Sequence, residues 1–370
     1  MNRKAETKNP YSIEVSRDLE DRRWDEFVVR CPGGHHEQTS LWAQVKSCYG
    51  WRPVRGVVSR NGEVAGGFQL LTKSFKWGGK IGYVSRGPLA VSDDPRLLEI
   101  IASELDQLAK REGVVYLAVV PSYIGHAFLP FFRERSFIPK PDSIPPTGLT
   151  MATLILDLSQ ELNQIWAHMR RDLRRFIRVG YRQGITVREG SEDDVEPFRR
   201  LMWALCERRG VSPTPPQSDF FQNLWSVFHP KGYVKLFFSE FERKPVAGGL
   251  VFAMGDSVRF WKTGWAGDNV KRNPSPVLWW EIIKWAKSSG FRYFDIVQIH
   301  LAHAKAILRG ERIPSTKEYG MTFFKTSFGG QVILLPEALC KIYNPLLRLV
   351  VKRWGRQIMS LKFMKWAGTI

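Results

Sequence analysis

Cysteine is scarce in this chain of 370 residues. There are four, Cys31, Cys48, Cys206 and Cys340, and none pair as C-x-x-C. That spacing argues against a disulfide framework or a cysteine zinc site and fits a reducing cytosol. No stretch approaches the ~18 uninterrupted apolar residues of a membrane-crossing helix. Residues 1–10 lack the apolar core of a signal peptide, so a cytoplasmic chain is expected. Acid is short relative to base, with 36 Asp and Glu against 55 Lys and Arg, a formal charge of +19 at pH 7. Such an excess points to an anionic partner: nucleic acid, a phosphorylated substrate or an anionic lipid surface. The chain is 44% hydrophobic and 25% charged, which excludes extended disorder, collagen and coiled-coil rods as the main architecture. Its length suggests two domains.

A duplication organises what is present. Val64-Ala-Gly-Gly67 recurs as Val246-Ala-Gly-Gly249. A turn precedes each copy, Arg60-Asn-Gly-Glu63 and Glu242-Arg-Lys-Pro245, and Asn-Gly is a strong hairpin signal. Strand-like runs precede the turns, residues 53–58 and 234–238. Downstream, Asp94-Pro95 and Ser275-Pro276 open helices that end at Gly113 and Gly290. Strands follow at 114–120 and 291–297, then Phe131–Phe137 against Phe323–Phe328. Each copy reads as hairpin, strand, helix, strand, helix or loop, strand. Residues 140–147 are Pro-rich and read as a linker. Thr153–Leu158 reads as a strand. Ser159 is expected to cap a helix to about Arg182, and Ser191-Glu-Asp-Asp194 to cap one running to Arg209. In the first copy their counterparts are residues 24–27 and 41–48.

Several motifs run through both copies in a fixed order. They are Ser40-Leu-Trp-Ala-Gln-Val-Lys46, Gly82-Tyr-Val-Ser-Arg-Gly-Pro88, Leu156-Asp-Leu-Ser159 before an Arg-rich helix, Trp285-Ala-Lys-x-x-Gly290 with Tyr293-Phe-Asp295, and Phe324-Lys325-x-x-Phe328-Gly-Gly330. With them the chain resembles the FemABX family of aminoacyl-tRNA-dependent transferases, which build peptidoglycan cross-bridges. The resemblance implies an α/β (α+β) fold of two tandem GNAT-like, acyl-CoA N-acyltransferase-like domains, of the shorter kind without a coiled-coil arm. The domains are expected at 1–145, completed by 331–370, and at 146–330. Two stretches depart from the family pattern. Val119-Val-Pro121 lacks the acid that some members carry after the first-domain strand. Val211–Phe220 lacks the basic residue and tyrosine that contact a muropeptide in some.

Aminoacyl transfer is attack of an amine on an activated ester, so a site must position both substrates and stabilise an oxyanion. The resemblance places Lys325 near the tRNA acceptor end, where an ammonium suits the oxyanion; otherwise it is a surface lysine. Asp295, at a strand end, could orient the amine or act as base, or cap the next turn. The resemblance puts Lys46 near a substrate pyrophosphate, and Arg86 could serve the same anion; a lone helical Lys is otherwise a solvated face. Trp261 and Lys262 sit beside 269–276, where a GNAT enzyme holds the pyrophosphate of acetyl-CoA, and Tyr319 joins them as a substrate-binding candidate. The loop Ala266–Pro274 lacks the usual glycine pattern, which disfavours acetyl-CoA. Arg171, Arg175, Arg178 and Arg182 share one face of a helix expected within 162–188 and suit tRNA or phosphate. His300 and His303 have no apparent third ligand, so no metal is expected.

The tail 338–370 interleaves apolar residues with Lys341, Arg348, Lys352 and other bases and holds no acid. It suggests an amphipathic helix on an anionic membrane, or a helix packed on the first domain. The reading is therefore an aminoacyltransferase from aminoacyl-tRNA to an amine of a lipid-linked or nucleotide-linked envelope precursor. It would need no cofactor and would lie in the cytoplasm or peripherally at the inner membrane face. The alternatives are an acyl-CoA-dependent N-acyltransferase of an amino sugar, and a non-catalytic protein docking on membrane or RNA.

Overall fold

The computed structural model describes residues 10–74, 78–141, 149–267, 272–346 and 348–349. The chain opens with β1 (Tyr11–Ser16), α1 (Arg22–Arg30), α2 (Ser40–Ser47), β2 (Arg52–Arg60), β3 (Glu63–Ser74), β4 (Lys80–Ser85) and β5 (Leu89–Ala90). Then come α3 (Pro95–Arg111), β6 (Val114–Val120), α4 (Leu129–Glu134) and β7 (Ile138–Pro139). The second half runs β8 (Ala152–Asp157), α5 (Leu162–His168), α6 (Arg171–Arg182), β9 (Thr186–Glu189), α7 (Val195–Arg208) and α8 (Phe220–Phe228). It continues with β10 (Val234–Phe241), β11 (Lys244–Met254), β12 (Ser257–Trp265), α9 (Pro274–Ser288) and β13 (Tyr293–Asp295). Last are α10 (Leu301–Leu308), α11 (Tyr319–Thr326), β14 (Gln331–Leu334) and β15 (Leu339–Ile342).

Two compact units result, one from residues up to 147 with the described residues from 336 onward, the other from 148–335. Their sheets share a topology. The first runs β1-β2-β3-β4-β6-β15-β7, with β5 on β3, and the second β9-β10-β11-β12-β13-β8-β14. The sixth place is filled by β15, which follows the second unit in the chain, in one sheet and by β8, which opens the second unit, in the other. Residues 331–334, expected with the first unit, form β14 and pair with β8 of the second.

The repeat signals map onto these elements. Asn61 (φ 52°) and Gly62 (φ 86°) make the left-handed turn of the β2–β3 hairpin, while Glu242 and Arg243 adopt it without glycine in the β10–β11 hairpin. Asp94 caps α3 through the Arg96 amide. α9 starts two residues earlier than expected, with Asn273 as its cap, and β13 is only three residues long. Apolar residues at helical spacing seat each helix on its sheet. Trp279, Trp280, Ile283 and Ala286 of α9 are buried, and Trp279 stacks on Phe260 of β12 at 3.9 Å. In the first unit, Leu98, Ile101, Leu105 and Leu108 of α3 pack with Leu70 and Leu117.

Four expectations change. The long Arg-rich helix is broken: Met169 is extended, and Arg170 donates its amide to the carbonyl of Ser327 (2.9 Å) instead of to a helical partner. Glu161, not Ser159, caps α5. Arg188 lies in β9, paired with Asp194 and Glu240 (both 2.7 Å). In the tail, residues 339–342 are a strand whose Lys341 pairs with Asp106 at 2.6 Å, so they belong to no amphipathic helix. Residues 347 and 350–370 lie outside the described residues. Among the described residues no helix is long and apolar enough to cross a membrane.

Candidate functional site

In the second unit a notch opens where the two central strands part. β12 and β13 pair in parallel only over Ser257–Arg259 and Tyr293–Asp295. Beyond Arg259, β12 continues while β13 ends. At Trp261 the ladder with β11 also slips, Leu250 facing Lys262 and Val251 facing Phe260. Trp261 is thus the extra residue of a bulge, a device that re-aims a strand beside a site. The corresponding strands of the first unit, β4 and β6, stay paired over all of Lys80–Ser85.

The end of β13 is strained and held by charge. Val297 (φ 56°) and Gln298 (φ 43°) are both left-handed, which costs roughly 1–3 kcal/mol each for residues of this type. Lys325, near the end of α11, donates to both of their carbonyls, at 2.7 and 2.9 Å. Its side chain stays partly exposed, yet the surrounding protein desolvates the ammonium and lowers its pKa to about 8; Asp295 opposes that shift and Arg209 adds to it. Asp295 itself accepts three hydrogen bonds. It accepts from the Val297 amide (2.8 Å), from Thr153 and from Arg259 (3.0 Å). The Val297 bond fits the turn-cap reading, while among the described residues Oδ2 accepts only from Arg259 and keeps an acceptor site for the amine-orienting or base reading. On the same helix, Tyr319 lies 5.8 Å from Phe323, and Arg170 covers Phe323 at 4.0 Å.

Lys262 lies over the Trp261 ring (4.9 Å), and Trp261 packs among Phe220, Phe221 and Phe252. Residues 268–271 of the loop before α9 lie outside the described residues. The helix itself begins Pro274-Ser275-Pro276, so two of its first three positions have no N–H. The helix start that could cradle a pyrophosphate is correspondingly weak.

On α6, Leu173, Ile177 and Gly180 are buried, and Arg171, Arg175, Arg178 and Arg182 are exposed together on the other side. Among the described residues none of the four has an acidic partner. Arg178 also lies over Trp166 (5.4 Å).

The first unit holds a different constellation. Lys46 of α2 is not on a solvated face: it is 4% exposed, its ammonium 5.9 Å from Trp42 and 5.6 Å from Trp51. Burial lowers its pKa to about 8, Glu37 opposing and Lys73 adding. Among the described residues no hydrogen-bond acceptor meets this ammonium, and the buried Trp51 Nε1 also lacks one. Two buried donors without acceptors suit a ligand that brings acceptor oxygens. Arg86 is left-handed (φ 54°) before Gly87-Pro88. Glu37 accepts from Ser85, whose hydroxyl meets Tyr83 at 2.9 Å. Beneath lies a buried network: Gln69 bonds Arg55 (2.9 Å), the Thr39 carbonyl (2.8 Å) and, through its amide, Gln38 (2.9 Å).

Sequence reasoning missed Arg209, Arg259, Glu37 and the pair His35 and His36. Arg209 closes a helix before a glycine, where a base is ordinary capping. Nothing in the spacing of His35-His36-Glu37 separated it from a loop.

Comparison with known proteins follows this division. The FemAB family model matches residues 19–130, and the acetyltransferase (GNAT) domain model matches 167–304. A lipid II:glycine glycyltransferase of Staphylococcus epidermidis is 30% identical over 240 residues, 62% of this chain and 56% of that protein. The chain thus spans about half the length of the curated relatives it matches. A crystal structure of FemX superposes with a TM-score of 0.78 at 18% identity, over 92% of this chain and all of that one. A tandem GNAT protein from the clavulanic acid pathway gives 0.52 at 9% identity over 90% of this chain and 99% of that one. Both structures share the tandem GNAT-like fold described above.

Proposed function

Because this chain belongs to the FemABX family, we propose that it is an aminoacyltransferase, moving an aminoacyl group from aminoacyl-tRNA to an amine of a cell-wall precursor. The S. epidermidis relative's name, lipid II:glycine glycyltransferase, makes glycine and a lipid-linked precursor the first substrates to try. The amine attacks the ester carbonyl, a tetrahedral oxyanion forms, and the C–O bond breaks as the ribose oxygen takes up a proton, directly or through water, to balance the one the amine gives up. The product is an amide. The ester arrives activated, so no cofactor is needed.

The observation that carries this reading is Lys325 at the mouth of the β12–β13 notch, an ammonium that donates to two strained carbonyls and keeps a third proton. A donor fixed before charge develops is worth most in such a site. Asp295 and Arg259 position it by holding the turn it binds. Trp261, Lys262 and Tyr319 would line the donor side. The exposed arginines of α6 would meet tRNA phosphates. Lys46, with Arg86, would hold the acceptor's pyrophosphate through the donors left without acceptors. The chain would act in the cytoplasm, at the inner membrane face where a lipid-linked acceptor lies.

Acyl-CoA is the weaker donor, since Pro274 and Pro276 remove amides from the helix start that would bind its pyrophosphate. Titration of the protein with charged tRNA and with acetyl-CoA, followed by Trp fluorescence at two salt concentrations, separates them. Salt-sensitive tRNA binding without a CoA response is expected. Saturable CoA binding, with tRNA binding gone at moderate salt, would overturn the reading.

A further inference from the structure

One group of donors in the first unit has no part in the chemistry above. The ligand atoms of His35, His36 and Glu37 all lie within 4.8 Å of one another. His35 Nδ1 and His36 Nε2 each stand 4.0 Å from a Glu37 carboxylate oxygen. The three are consecutive, on a short 3₁₀ turn closed by Gln38 and Thr39 amides bonding the His35 and His36 carbonyls at 2.9 and 3.1 Å. His36 is fully buried and His35 nearly so. The imidazoles stack at 4.3 Å, and His36 abuts the Trp42 ring edge-on at 5.4 Å.

We propose that His35, His36 and Glu37 form a binding site for one divalent transition-metal ion, and that the ion bridges to the phosphate oxygens held by Lys46. The metal site rests on its own geometry; the bridge rests on the acceptor reading of Lys46. Two imidazoles and a carboxylate favour zinc, manganese or cobalt over magnesium and calcium. Three protein ligands leave a position open for a phosphate oxygen. An edge of a tetrahedral zinc site is about 3.3 Å, so each 4.0 Å gap closes by a shift smaller than one ångström. His35 Nδ1 must release the Glu37 amide it now accepts from at 3.2 Å. An outer shell is in place: Ser85 donates to Glu37, and Tyr83 meets Ser85. Such partners orient a ligating carboxylate.

Charge supplies the reason for an ion here. Trp42 lies against both His36 (5.4 Å) and the Lys46 ammonium (5.9 Å), so the cluster and Lys46 are neighbours, and a bare Glu37 carboxylate would repel any phosphate that Lys46 attracts. A dication on Glu37 reverses that sign. Lys46 opposes the ion, and a bound phosphate answers both cations at once. The metal takes no part in acyl transfer in the second unit.

The test uses untagged, chelator-stripped protein. Calorimetric titration with zinc, manganese and magnesium should show one zinc per chain, bound at least 100-fold tighter than magnesium. Cobalt should give a saturable visible spectrum in the unaltered protein, a readout that needs no variant to fold. Glu37→Gln and His35→Gln should each weaken zinc tenfold or more with melting temperature unchanged. Inorganic pyrophosphate should bind at least tenfold tighter with zinc present, in wild type and not in E37Q. Absence of stoichiometric zinc and cobalt binding in wild type would overturn the site. Zinc binding that leaves pyrophosphate affinity unchanged would overturn the bridge. If Lys46→Met keeps pyrophosphate affinity, the acceptor reading of Lys46 falls while the metal site stands.

Discussion

Two lysines have been moved from their ordinary state by burial, and each gives a test. If Lys325 works as an ammonium, as proposed, activity belongs to the protonated form, present below its pKa and lost above it. The kcat profile should therefore fall with a limb near pH 8. Lys325→Met should lower kcat by about 10²–10³-fold with KM little changed, the size of effect for one oxyanion donor; steady-state kinetics from pH 6 to 9.5 measures both. Lys46 carries a folding cost. Its folded pKa of about 8 lies below the ordinary lysine value of 10.5, so the unfolded chain binds more protons between these values and stability rises with pH across that window. Lys46→Met should stabilise the fold on the order of 2 kcal/mol at pH 7 while weakening pyrophosphate binding. Urea unfolding at pH 7 and pH 10 should show the gain shrinking at the higher pH. Both lysines were legible as motif residues. Their burial was not, because Trp42, Trp51 and the end of β13 close around them only in three dimensions. Glu37 and Arg209 went unread for the same reason: each acquires its meaning from a neighbour distant in sequence, Ser85 for one and Lys325 for the other.

α6 concentrates charge without local compensation. Arg175→Glu with Arg178→Glu should weaken tRNA binding about tenfold or more at 0.1 M salt. It should also flatten the dependence of log affinity on log salt by about one per lost phosphate contact. Equal slopes in the variant and the wild type would remove this face from the tRNA account. Local signals served well where local chemistry decides: Asn61-Gly62 as a hairpin, Asp94-Pro95 as a helix start, Ser191 as a cap. They failed where a tertiary bond decides. The stretch from 162 to 182 keeps a helical pattern throughout, yet the chain is extended at Met169, where the Arg170 amide bonds Ser327. The brevity of β13 is equally a tertiary effect, since Asp295 is held by Thr153 of β8 and Arg259 of β12 and caps the left-handed turn at Val297 and Gln298 that ends the strand.

Two copies of one topology make up the molecule, and their sheets are completed by β15 and β8 at the same place. The repeat was legible from its order of turns, helices and strands. The boundary at β14 was not, because one short apolar strand reads alike in either sheet. Truncation after Leu335 would remove β15 and leave β6 with an open edge. The first unit should then lose protection while residues 148–335 stay resistant, as limited proteolysis with mass spectrometry would read. Among the described strands only the second unit parts its central pair, and there Lys325 stands, so the proposed reading puts transfer in that unit. The most direct test incubates the protein with labelled glycyl-tRNA and a lipid-linked wall precursor, with acetyl-CoA and amino sugars in parallel. The account predicts glycine joined by an amide to the precursor, about 100-fold less of it with Lys325→Met, and no acetylated product. Acetyl transfer from acetyl-CoA, with no label leaving the tRNA, would contradict it.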